Sequence, residues 1–267
     1  MTGKQNNKRI GLALGGGVVL GAAHIGVLRA LEEMDIHIDY ITGTSIGAFV
    51  AALYAFGKSC DEIETIAGEL EWIDTAGLAL SQYGLLSNQK LGEIMRRLIG
   101  DVKFRDARIP LGMVASDVVS GERVPLTTGR VADAVMASCC IPGIFTPVTI
   151  RRKMLIDGGL LENVPIMMVR EMGAGTIIAV DLFTASHSHR APDNLVDLLL
   201  NTYYAAMRNA ARPYNEFADV LITPDLSEFN LLGTDQIPAI IRTGYQSARE
   251  TLTEFAAVTF RQTGNEN

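Results

Sequence analysis

The chain has 267 residues, of which 48% are hydrophobic and 20% charged, a balance that suits one globular domain with a sizeable core. Its net charge of -7 argues against nucleic acid and against electrostatic docking on anionic lipid. Three cysteines, Cys60, Cys139 and Cys140, form neither a disulfide framework nor a zinc-site spacing; no metal or cofactor is implied, and a reducing cytoplasm is the easier compartment.

Residues 1–8 are polar and read as a flexible N-terminus. Ile10 to Leu28 carries no Asp, Glu, Lys or Arg and follows Lys4, Lys8 and Arg9, so a membrane span or signal peptide has to be weighed. Gly11, Gly15, Gly16, Gly17, Gly21 and Gly26 fall inside it, and each costs roughly 0.5–1 kcal/mol in a helix interior. The better reading is a buried strand over Arg9–Leu14, a glycine turn, and a helix over Gly21–Met34 with Ala22, Ile25, Leu28 and Leu31 at helical spacing.

A second apolar strand ending at Ile41 leads into Gly43-Thr44-Ser45-Ile46-Gly47, and a helix-prone stretch follows over Ala48–Phe56. Strand, G-x-S-x-G turn and helix in that order are the context of a nucleophile elbow, with Ser45 projecting from the turn and Gly43 and Gly47 relieving its crowding. Residues 9–56 therefore read β-α-β-α, the start of an α/β sheet whose two glycine turns lie at strand carboxyl ends, where such sheets place their sites.

The first glycine turn could also cradle a phosphate. No Gly-Lys-Ser/Thr follows it, and G-x-G-x-x-G fails at Val18, or by one residue when counted from Gly15 to Gly21. An oxyanion hole made by the backbone N–H groups of Gly16, Gly17 and Val18 uses the turn better.

Residues 57–110 read as helical, with Asp61–Leu70 amphipathic, an apolar stretch Trp72–Leu86 broken by Gly77 and Gly84, and a helix over Asn88–Ile99; such an insertion could cap a greasy pocket. Pro110–Ser116 is a strand, Asp117–Thr128 a hairpin turning at Ser120-Gly121, and Val131–Ser138 a helix closed by Cys139-Cys140-Ile141-Pro142-Gly143. The two cysteines read as small core residues. An extended piece begins at Phe145. The strand Lys153–Asp157 then ends in Gly158-Gly159, placing a carboxylate at a strand end much as Ser45 is placed. The plain alternative is an Asp turning on its own backbone. A helix follows Asn163-Val164-Pro165-Ile166, and Gly175–Leu182 is the last clear strand. Ser186–Asp193 is a polar loop with His187 and His189; Asn194–Arg212 and Pro238–Phe260 are long helices around a short strand, Val220–Thr223. The organisation is one domain over 9–260 between flexible ends, 1–8 and 261–267.

Ser45 needs a proton acceptor. Ser45, Asp157 and then His187 or His189 match the chain order of an α/β-hydrolase triad, yet those enzymes place the nucleophile after more strands. His24 reads as capping or packing within the first helix. The other solution is a dyad in which a partly buried Asp157 takes the proton itself.

Leu14-Gly15-Gly16-Gly17 through Gly21-Ala22-Ala23-His24-Ile25-Gly26, then Gly43-Thr44-Ser45-Ile46-Gly47, Ala137-Ser138 to Pro142-Gly143, and Asp157-Gly158-Gly159 together resemble the patatin-like phospholipases, in order and spacing, over nearly the whole chain. The resemblance implies a three-layer α/β/α fold with a mainly parallel sheet and a lipid acyl hydrolase with a Ser-Asp dyad: Ser45 nucleophile, Asp157 base, and Gly16, Gly17 and Val18 as oxyanion hole. It implies a cytoplasmic enzyme on lipid or acyl-ester substrates, in transient contact with a membrane surface. One position departs: Leu20 stands where the family usually has Arg or Lys, which puts phospholipid head-group preference in doubt and favours neutral acyl esters or lysolipids, or a weak enzyme. The competing readings are a catalytically idle member that binds lipid or a partner, and a nucleotide-binding α/β protein. Oligomeric state is left open by the sequence.

Overall fold

The computed structural model describes residues 9–70, 77–81, 84–183, 191–231 and 233–264. The first strand forms as β1 (Ile10–Leu14); a 3-10 turn at Val18–Ala22 leads directly into α1 (Ala23–Glu33). Residues 10–28 are thus strand, turn and helix, and no helix among the described residues is long and apolar enough to cross a membrane. β2 (Tyr40–Thr44) and α2 (Ile46–Ala55) come next, followed by α3 (Cys60–Glu69), which opens with a capping box between Ser59 and Glu62. Beyond them run β3 (Gly77–Ser81), β4 (Gly84–Ser87), α4 (Gln89–Ile99), β5 (Leu111–Asp117), β6 (Arg123–Leu126), α5 (Val131–Ser138), β7 (Gly143–Phe145), β8 (Val148–Ile150) and β9 (Lys153–Asp157). The chain continues through α6 (Ile166–Glu171), β10 (Thr176–Val180), α7 (Leu195–Asn215), β11 (Val220–Ile222) and α8 (Ile237–Gly264).

β11, β10, β1, β2 and β5 pair in that order and all in parallel; β6, β9 and β8 complete the sheet in antiparallel pairings. This is the mainly parallel sheet expected. Side chains along β1 alternate between two cores. Leu12 and Leu14 join the large cluster containing α1, α2 and α8, whereas Ala13 joins Ile177, Ala179 and the α6 residues Ile166 and Val169 on the other face. Helices on both faces make the three layers.

Two expectations are corrected. Part of the helical reading of 57–110 fails, because residues 77–81 and 84–87 form β3 and β4, and β4 pairs with β7 in a small second sheet. Gly77 and Gly84 bound runs too short to sustain a helix. Trp72 and its neighbours at 71–76 lie outside the described residues, so the capping role expected for that stretch is not addressed. In addition, β2 does not stop at Ile41 but runs to Thr44, leaving Ser45 alone between strand and helix.

The register of β5 positions the site. Met113 and Val114 pair with β6 and also fall opposite β2, while Ala115 and Ser116 pair with β6 and also with β9. A residue has only two edges, so β6 holds one edge of β5 and β2 and β9 share the other, end to end. Thr44 lies opposite Val114 and Asp157 opposite the next residue, Ala115. The last residue of β2 and the last residue of β9 therefore run into each other.

Behind the site, α8 lies on α1 with their backbones in contact. A Cβ on Gly26 would sit 2.0 Å from the Ile241 carbonyl oxygen, and one on Gly244 would sit 2.2 Å from that of Ala23. Alanine at either position gains about 1 kcal/mol of helix propensity but must push two helices apart. Gly26→Ala and Gly244→Ala are each expected to lower stability by at least about 2 kcal/mol net, read as a lower urea midpoint at unchanged slope.

Candidate active site

Ser45 is held at φ 54 and ψ -125, a backbone conformation that costs a non-glycine residue free energy and that a sharp strand-to-helix turn imposes. Its flanking glycines are required by close approach. A Cβ on Gly47 would lie 2.2 Å from the Leu14 carbonyl oxygen, and one on Gly43 would lie 2.3 Å from the backbone of Gly47. The elbow is braced from α5: Ser45 N–H donates to Ser138 Oγ at 3.0 Å, and that hydroxyl donates to the Val114 carbonyl at 2.7 Å. Ser45 is largely buried, with 9% of its surface exposed.

Asp157 is wholly buried at the end of β9. Its N–H donates to the Cys140 carbonyl at 2.8 Å, and its Oδ1 accepts the Gly159 N–H at 2.9 Å. This is the Asp turn of the plain reading, but it occupies only one carboxylate oxygen. Oδ2 makes no hydrogen bond of ordinary geometry. Burial pushes the carboxyl up from 3.8 to about 6; the Gly159 N–H and the nearby Ser45 and Tyr203 hydroxyls pull the other way.

The glycine turn is clamped by the segment after Asp157. Gly16 N–H is shared between the carbonyl oxygen and Oδ1 of Asn163, at 3.3 and 3.1 Å. Thr44 Oγ1 donates to the Glu162 carbonyl and Thr42 Oγ1 to that of Pro165. Of the three expected oxyanion donors, Gly16 N–H is thus engaged by Asn163 in this arrangement. Gly17 and Val18 N–H groups carry no hydrogen bond among the described residues, and they open the 3-10 turn, where donors are left over. Gly16 still lies beside Ser45, since a Cβ on it would come 3.1 Å from Ser45 Cβ. Val18 is itself held at φ 52, an outlier for a β-branched residue, so this turn carries strain as the elbow does. Gly21 gives room to Ile46, and Gly158 to the Val114 backbone.

The histidines fall into three cases. His24 is wholly buried, bonds the Gly15 carbonyl through Nε2 at 2.8 Å, and is pushed down to about 4 by burial, so it is neutral and braces the glycine turn. His37 is exposed beside Asp35. His187 and His189 lie outside the described residues. The Cys139 and Cys140 thiols lie near the site and are pushed up by burial, Cys140 to about 12, which makes them thiols rather than nucleophiles. Leu20 is fully buried in the large core, so the position where a cation was expected points inward.

Three contributors were not singled out by the sequence reading: Ser138, Tyr203 and Met207. Ser138 sits within the Ala137-Ser138 motif, and that motif was the only available signal. Tyr203 and Met207 of α7 reach the site across more than forty residues of chain: a Cβ on Gly159 would lie 2.8 Å from both the Tyr203 hydroxyl oxygen and Met207 Cε. Nothing in a long amphipathic helix marks which of its residues do so.

A family model described as patatin-like phospholipase matches residues 12–170. The chain is 31% identical over 234 residues to Lysophospholipase NTE1 of Eremothecium gossypii, covering 85% of this chain and 15% of that protein. It is 30% identical over 275 residues to an uncharacterized NTE family protein of Mycobacterium tuberculosis, covering 92% of this chain and 46% of the relative. It therefore spans less than half the length of either. In fold it is similar to VipD from Legionella pneumophila, with a TM-score of 0.55 at 12% identity over 93% of this chain and 67% of that one. It is also similar to ExoU from the type III secretion system of Pseudomonas aeruginosa, with a TM-score of 0.53 at 16% identity over 93% and 53%.

The raised Asp157 pKa has a measurable stability consequence. A carboxyl that holds its proton more tightly folded than unfolded loses stability as pH rises from about 3.8 to about 6. Two pKa units correspond to about 3 kcal/mol. Asp157→Asn is expected to stabilise the protein by up to that amount at neutral pH and to give no comparable gain near pH 4, checked by urea unfolding at both pH values.

Proposed function

The chain belongs to the patatin-like phospholipase family, and from that premise we propose that it is a serine-dependent lipid acyl hydrolase cleaving carboxylic esters through an acyl-Ser45 intermediate, with Asp157 as the base. The observation that supports this reading most is the meeting of a strained serine with a buried carboxylate that keeps one oxygen free of hydrogen bonds.

In this reading Ser45 Oγ attacks the ester carbonyl carbon while its proton passes to Asp157 Oδ2. The carbonyl π pair moves onto oxygen, and the oxyanion takes hydrogen bonds from Gly17 and Val18 N–H, with the positive end of α2 behind Ser45. Collapse expels the alcohol, which takes the proton from Asp157 and leaves an acyl ester on Ser45. A water then attacks that ester as Asp157 takes its proton; the proton returns to Ser45 and the fatty acid leaves. A carboxyl near 6 suits both halves: ionised enough at neutral pH to accept, and far less costly to protonate than an exposed carboxylate.

The substrate class follows from the glycine turn. Leu20 is buried and cannot meet a phosphate, so we read uncharged acyl esters as preferred over phosphate-bearing lipids; the lysophospholipase name of one relative makes a lysolipid the phosphate-bearing substrate to compare. We place the enzyme in the cytoplasm, in transient contact with lipid surfaces.

The test is hydrolysis of short and medium p-nitrophenyl esters, together with fluorophosphonate labelling. Ser45→Ala should abolish labelling and lower turnover by roughly a thousandfold or more, and Asp157→Asn by roughly a hundred- to ten-thousandfold. His187→Ala/His189→Ala should keep near wild-type rate; a dead but folded double mutant would return the three-residue triad. The wild-type kcat/KM should climb with pH through about 6, as Asp157 ionises. A wild type inert to both esters and label would leave lipid or partner binding as the function.

A further inference from the structure

We infer that Tyr203 is the positioning residue for Asp157, its phenol donating to Oδ2 so that the carboxylate is held ionised and aimed at Ser45. The inference rests on the dyad reading and concerns a residue that the four sequence motifs do not contain.

Tyr203 lies on α7 and is 5% exposed. Its hydroxyl is buried and has no hydrogen bond of ordinary geometry, and the same is true of Asp157 Oδ2. Two orphaned buried polar atoms in one small volume are costly unless each satisfies the other. Gly159 is what lets them approach. Its N–H occupies Oδ1 at 2.9 Å, and its missing Cβ would stand 2.8 Å from the Tyr203 hydroxyl oxygen. The phenol therefore stands over the bare backbone of Gly159, the residue whose N–H holds the other carboxylate oxygen. A carboxylate oxygen has two lone pairs. On Oδ2 one takes the phenol, and the other remains for the proton of Ser45.

The electrostatics agree with this geometry. Tyr203 opposes the upward push of burial on Asp157, and its own phenol is pushed well above its usual range by burial and by the carboxylate, so it stays an O–H donor. The other titratable groups that face Asp157 are Tyr204 and the thiols of Cys139 and Cys140; all are pushed upward and remain uncharged at neutral pH. Among these groups Ser45 and Tyr203 are the side chains that favour the ionised carboxyl.

The test compares Tyr203→Phe with wild type in two readouts. In the pH profile of p-nitrophenyl butyrate hydrolysis, the acid limb of kcat/KM should move up by roughly one pH unit, because the charged form has lost a donor. The alkaline plateau should fall less than the rate at pH 6. The second readout needs no turnover: in a Ser45→Ala background, the pH at which urea stability stops falling should move up by the same amount when Tyr203→Phe is added. A limb and a stability inflection that both stay in place would overturn the inference, since a tyrosine that only packs moves neither. Ser45→Ala and Asp157→Asn run in the same assay keep the two claims apart. If they turn over at the wild-type rate the dyad falls, and the stability inflection still decides whether Tyr203 holds the carboxylate. If they are inactive and Tyr203→Phe shifts nothing, the dyad stands and Tyr203 is packing.

Discussion

Two strands sharing one edge of β5 is the constraint on which the rest of this structure depends. A strand edge offers a fixed row of hydrogen-bonding positions, and β2 takes the first part of it and β9 the last. Neither can extend without displacing the other. The chain must leave the edge abruptly at Thr44 and at Asp157, and abrupt departure is what strains Ser45 and turns Asp157 onto Gly159. Ser45 and the Asp157 carboxylate are neighbours because two secondary-structure elements compete for one ladder.

The segment from Gly158 to Pro165 converts that meeting into a rigid site. It turns on the Asp157 carboxylate, ties back to β2 through Thr44 and Thr42, and holds Gly16 through Asn163. One short piece of chain thereby sets the distance between the carboxylate, the elbow and the glycine turn. His24 reinforces the turn from the opposite side, as an uncharged donor to Gly15. The site is built from backbone groups fixed by buried polar side chains, which keeps its donors aimed without reorganisation.

Much of this was legible in the residues. Apolar runs closed by glycine or proline marked the strand Lys153–Asp157 and the helix Val131–Ser138 at their observed limits. Ser45 and Asp157 stood out because each ends a strand beside glycines. Local pattern could not show register: nothing near Thr44 says that Asp157 will occupy the next place along β5. Nor could it show that Gly16 would spend its N–H on Asn163, or that Leu20 would face the core, because both depend on contacts distant in sequence. Gly77–Ser81 and Gly84–Ser87 misled for the opposite reason: an apolar run with two glycines fits several local structures, and the pairing of β4 with β7 decides.

The glycine contact between α1 and α8 has a bearing on how the chain is made. Tyr245 of α8 reaches Glu33 of α1 across 212 positions of sequence. At about 5–20 residues per second, a ribosome needs on the order of tens of seconds to cover that interval. Through it the apolar flank of α1 faces solvent or a chaperone, and the glycine turn just ahead of α1 lacks its backing. Ser45 lies early in the chain, yet the turn beside it gains its backing late, when α8 emerges and closes over Gly26. A nascent chain of this protein thus carries its serine long before it carries a finished place to use it.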